Sequence, residues 1–135
     1  MRKNLFFAIV LVSITVTGCR GGFVPGGGKV TFEDGSPVTF GGIVFETENF
    51  MAEGRINADG SYTLYSLKVG DGLPPGKYKV GISSREVDDR GRPTYYVDPQ
   101  FSNPATSGLS AEVVKRGQNR FDFTVTKPKK RAGQR

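Results

Sequence analysis

A chain of 135 residues has room for one domain and not for two. Its 36% hydrophobic and 24% charged residues, with ten Phe and five Tyr, exclude a wholly disordered chain, while 19 Gly and 8 Pro favour many short elements over long helices. The formal charge of +6 is concentrated at the termini: with residues 1–18 and 127–135 set aside, 12 basic residues stand against 13 acidic ones, so no nucleic-acid-binding face is expected on the body.

Arg2 and Lys3 precede an uncharged, mostly apolar run over residues 5–17, the pattern of a secretory signal peptide. That run falls short of the roughly 20 apolar residues of a spanning helix, so a cleaved leader is expected rather than a permanent span. It ends in Val16, Thr17, Gly18 and Cys19, which resembles the lipobox of bacterial lipoproteins. The resemblance implies cleavage between Gly18 and Cys19, a diacylglyceryl group on the Cys19 thiol, and an acyl chain such as palmitate on the new N-terminus. A coincidental Gly-Cys after a plain signal peptide is the alternative. Cys19 is the only cysteine, so no internal disulfide is available to it. Arg20 in place of Asp after the cysteine implies, by the same resemblance, the outer membrane as destination. The lipidated Cys and a Gly-rich linker are expected over residues 19–27, with the domain over residues 28–126.

Within that domain, seven period-two segments fall between turn residues: 29–32, 42–47, 52–57, 61–66, 77–83, 110–114 and 120–126. In the fifth, Tyr78, Val80 and Ile82 face one way, with Lys77, Lys79 and Gly81 opposite; in the seventh, Phe121, Phe123 and Val125 oppose Arg120, Asp122 and Thr124. Asp34-Gly35 and Asp59-Gly60 suit tight turns, the second as a hairpin tip, and Pro74-Pro75-Gly76 forbids ladder pairing before the fifth segment. The expected fold is all-β, a seven-stranded antiparallel β-sandwich.

The succession of Gly28-Lys-Val-Thr-Phe, Asp34-Gly-Ser-Pro-Val, Gly42-Ile-Val-Phe, Asp59-Gly-Ser-Tyr and Leu73-Pro-Pro-Gly-Lys-Tyr-Lys-Val resembles the carboxypeptidase regulatory-like domain, a transthyretin-related (prealbumin-like) sandwich. The likeness covers turns and core positions over most of residues 28–126. It implies a fold and an accessory or binding role, and no catalytic residues.

The chain has no His, which removes Ser-His-Asp and Cys-His catalysis and His-based zinc sites, and its one Cys lies in the lipobox. No catalytic residue, metal or cofactor is expected. Asp88, Asp89 and Asp98 do not have the spacing of a calcium loop. The candidate binding segment is residues 84–108, longer than an ordinary connection, with Arg85, Arg90, Arg92, Tyr95, Tyr96 and Phe101 able to stack on a sugar ring or grip an acidic partner. Against this stands the reading that Tyr95 and Phe101 cover the end of the sandwich. Residues 127–135 read as a basic disordered tail, or as an arm for anionic envelope polymers or lipid headgroups. Together these features point to a non-enzymatic, lipid-anchored protein of the cell envelope whose partners are the membrane and an envelope protein; the alternative is a carbohydrate or small-ligand binder using residues 84–108.

Overall fold

The computed structural model describes residues 22–68 and 70–130. The expected signal peptide, the expected cleavage site at Gly18 and Cys19, and the far end of the basic tail lie outside the described residues. Among those described, the chain forms β1 (Gly27–Phe32), β2 (Gly41–Glu46), β3 (Met51–Ile56), β4 (Ser61–Thr63), β5 (Gly76–Ser83), β6 (Arg85–Val87), β7 (Pro93–Tyr95), a 3-10 turn at Pro99–Phe101, β8 (Leu109–Val113) and β9 (Phe123–Val125). The fold is all-β, and none of its described helices is long and apolar enough to cross a membrane.

One sheet runs β4-β1-β9 and another β3-β2-β5-β8, with β6 and β7 as a separate hairpin. The two larger sheets share one hydrophobic core. Phe45 on β2 is its centre: fully buried, its ring lies 5.6 Å from Phe121, 6.1 Å from Phe123 and 6.4 Å from Tyr62, all across the core, and 6.0 Å from Tyr78 on its own sheet. Such tilted aromatic contacts add to the area that the rings bury. The buried Tyr62 hydroxyl donates to the Phe121 carbonyl oxygen at 2.6 Å, and burial, then the nearby Asp122 charge, pushes its pKa up.

The sheets meet along one side. Asn57 and Ser61 close the β3–β4 turn, whose tip is Asp59-Gly60, and farther along Glu53 and Tyr65 exchange two backbone hydrogen bonds of 2.8 Å. Residues 61–65 thus pass from β1 to β3, a strand changing sheets at a corner. Gly54 permits this, because a side chain there would sit 2.8 Å from the Thr63 carbonyl oxygen.

All seven expected segments contain a strand, but two features differ from the expectation. The antiparallel, seven-stranded reading misses that β1 and β9 pair in parallel, Val30 to Phe123 and Phe32 to Val125. It also misses β6 and β7, whose residues are exposed on both faces and therefore carry no alternation to read. The fold begins earlier than the glycines suggest: Val24 exchanges backbone hydrogen bonds with Leu73, and Gly26 is buried against Leu73 and Leu64.

Replacing Phe45 with Ala is expected to lower unfolding stability by about 3–5 kcal/mol, read as a fall in the urea midpoint. Leu67→Ala, at an exposed position, should stay within about 0.5 kcal/mol. A loss below about 1 kcal/mol for Phe45→Ala would remove it from the centre of the core.

Candidate functional site

The long segment over residues 84–108 is built rather than loose. Asp88 makes the β6–β7 turn: its Oδ1 accepts the N–H groups of Arg90 and Arg92, both at 2.9 Å, and its Oδ2 accepts the Arg92 guanidinium at 2.7 Å. These contacts, the Arg92 backbone N–H first, hold the Asp88 carboxyl below the ordinary aspartate range. The hairpin is tied to the body where Tyr96 N–H donates to the Ser84 carbonyl oxygen at 2.9 Å, and to the C-terminal segment where Asp98 N–H donates to the Thr126 carbonyl oxygen at 2.9 Å. Pro104 and Ser102 then cover Gly81 on the outer face of β5.

Tyr96 packs edge-on against Phe40 with ring centres 4.9 Å apart, and its hydroxyl donates to Glu86 at 2.8 Å, which pushes the phenol pKa up. Phe32, Phe40, Tyr95, Tyr96 and Lys127 line a cleft of about 270 Å³ with Ser84. Ser84 is buried, and its Oγ is the one buried side-chain polar atom without a hydrogen-bond partner among the described residues. Gly41 makes room beside it: its φ of +131° suits glycine, and a side chain there would meet the Ser83 carbonyl oxygen and Ser84. The volume lies just under the roughly 300 Å³ at which pockets begin to enclose drug-sized ligands, so it suits a single ring or one inserted side chain.

Tyr95 also borders a larger groove of about 1010 Å³ with Arg92, Asp98, Lys129 and Lys130. Among the described residues Arg92 pairs with Asp88, and Lys127 pairs with Asp34 at 3.4 Å while its ammonium sits 5.0 Å over the Phe32 ring; Lys129 and Lys130 are exposed and in no ion pair. The end of the fold is therefore an aromatic cleft continuous with a basic rim.

The sequence candidates separate. Tyr95 and Tyr96, 37% and 39% exposed, stand at the cleft, and Arg92 lies in the groove beside it. Arg85 and Arg90 are exposed and line neither. Phe101 packs against the core. Phe32 and Phe40 are not singled out in the sequence, and Ser84 and Lys127 enter it only as the first residues of the long segment and of the basic tail, since these four separate places are assembled only by the fold. The described residues contain no group of three or more Asp, Glu, Cys or His able to hold a metal ion.

Because its carboxyl is held below the ordinary range, Asp88 stabilises the hairpin above the ordinary aspartate pKa, and that contribution is lost as pH falls through the lowered value. Protection of the Arg90 and Arg92 amides against hydrogen exchange, relative to their intrinsic rates at each pH, should fall in acid or in Asp88→Asn while that of the β2 amides is kept; an equal loss in β2 would mean that the turn does not open on its own. Comparison of the chain with protein-family models, with curated proteins and with solved structures returned no match.

Proposed function

We propose that this chain is an exported, non-catalytic lipoprotein of the cell envelope, anchored by acyl chains on Cys19, whose carboxypeptidase regulatory-like, prealbumin-type sandwich presents a binding end away from its tether. The observation that carries this reading is the direction of the strands. β1 starts at the end where the chain enters the fold, where Phe23 packs on Phe50 with ring centres 5.5 Å apart, and it ends at Phe32 in the cleft. β2 runs the other way, from Phe40 in the cleft to the turn that leads to Phe50. β9, parallel to β1, delivers Lys127 to the cleft end. Acyl chains at Cys19 would thus hold one end at the membrane and turn the tyrosines and lysines outward, toward an envelope partner. This arrangement favours anionic envelope polymers over the headgroups of the anchoring membrane as the target of the basic arm.

Protein-protein docking is the leading use of that end, through the exposed Val87, Tyr95 and Tyr96. The small aromatic cleft favours a sugar ring as the second reading, stacked on tyrosine. A photoreactive phenylalanine analogue at position 94 in β7 should capture an envelope component in living cells, and the same analogue at position 49, in the β2–β3 turn, should not. The Cys19→Ser form should leave the membrane fraction and lose that capture. Equal capture from both positions, or undiminished capture by Cys19→Ser, would overturn the proposal.

A further inference from the structure

Seven large hydrophobic side chains are exposed among the described residues, and they fall into two groups. Val87, Tyr95 and Tyr96 belong to the hairpin end. Phe23, Met51, Leu67 and Val114 gather at the opposite end, where the N-terminal segment leaves the fold. β4 runs antiparallel to β1 and so leads to Leu67 beside the start of β1, and Met51 pairs with Glu46 at the end of β2. β8 ends with Val113 against Gly76 at the start of β5, next to Val114.

Two of these side chains are displayed by loops that hydrogen bonds hold in place. The Asp71 carboxylate accepts the backbone N–H groups of Ser66, Leu67 and Lys68 at 2.7, 3.0 and 3.1 Å, closing a turn that leaves Leu67 84% exposed. Asn119 clamps the other loop with both ends of its amide, accepting from Val114 N–H at 2.8 Å and donating to the Val114 carbonyl oxygen at 2.9 Å, while its own carbonyl oxygen accepts from Gly27 N–H. Scattered exposed apolar residues need no explanation. Fixed loops that point such residues from a single end, with exposed Lys68, Lys115 and Arg116 beside them, form an amphipathic surface. The Asp71 charge is taken up by the turn it makes; the acidic side chains exposed nearby are Glu46, opposite Met51, with Glu48 and Glu112, and the exposed Lys79 and Lys77 stand across the sheet from Glu46 and Glu112.

We infer that this end, through Phe23, Leu67 and Val114 with Met51 at its edge, docks onto the surface of the lipid bilayer. The occupant follows from the length of chain before the fold, a step that rests on the tether reading above. Phe23 is already packed on Phe50, and only four residue steps separate it from Cys19, a reach of about 14 Å at full extension. Acyl chains on Cys19 would keep that end within reach of the headgroup layer, where the apolar side chains enter the interface and the cations meet anionic lipid.

The chain contains no Trp, so Leu67→Trp and Val114→Trp each introduce the sole indole, with Thr94→Trp at the hairpin as the control. The full lipidated chain, purified from its producing cells, is reconstituted on vesicles of phosphatidylcholine and phosphatidylglycerol, with and without acyl-brominated phosphatidylcholine. The expected result is flotation with the vesicles, with blue-shifted and bromine-quenched emission from positions 67 and 114 and none from 94. Flotation without quenching at 67 and 114 would overturn the docking and leave the tether standing. Failure to float would overturn the tether reading instead. In that case the Cys19→Ser chain bearing the same indoles, at saturating vesicle concentration, decides the docking: quenching at 67 and 114 sustains it, and its absence ends it.

Discussion

The structure depends first on the burial of Phe45. This ring touches aromatic residues from both sheets, so the spacing and facing of the sheets follow from one side chain and its neighbours Phe121, Phe123, Tyr62 and Tyr78. A core of this kind, rich in Phe and Tyr and without Trp, gives a chain of this length enough buried apolar surface to stand without a disulfide. The buried hydroxyls are consistent with that economy: Tyr62 and Tyr78 bond to the carbonyl oxygens of Phe121 and Pro74.

Given that core, strand direction distributes the loops between two ends. The β1–β9 ladder is parallel, so the chain enters at one end of the fold and leaves at the other. The hairpin of β6 and β7 stands at the exit end because β5 runs antiparallel to β2 and finishes beside Gly42, next to Phe40. The turns at Leu67 and Val114 stand at the entry end because β4 and β8 finish there. Both ends gather exposed side chains of the described residues. Each has what binding needs: exposed apolar residues, cations nearby, and loops held by carboxylate or amide clamps.

Much of the fold was legible because its signals are local. Asp34-Gly35 and Asp59-Gly60 make turns with the glycines at φ of +82° and +84°, and Tyr78, Val80, Ile82 and Val125 are buried as their alternation implies. What could not be read is non-local. The parallel pairing joins residues about ninety positions apart, and no short pattern announces it. Gly81 reads as facing solvent with Lys77 and Lys79, yet Pro104 and Ser102 roof it over. Gly26 reads as linker, yet it is buried because Leu64 and Leu73 approach it. For the candidate site, the tyrosine pair was visible as aromatics in a long segment. Its partners Phe32, Phe40 and Lys127 were hidden in a strand end, a turn and a tail, while the real hairpin signal was Asp88 placed three residues before Gly91.

On the proposed reading, the tethered end and the binding end face opposite ways. Fluorophores attached at Asn49→Cys and at Thr94→Cys in the lipidated chain, with energy transfer to acceptor lipids in the vesicle surface, measure it directly. β2 alone separates the two ends by roughly 20 Å, six residues at about 3.3 Å each. Strong transfer from position 49 and markedly weaker transfer from position 94 is the result expected. Equal transfer from the two positions would mean that the domain lies on its side and that the cleft does not face away from the membrane.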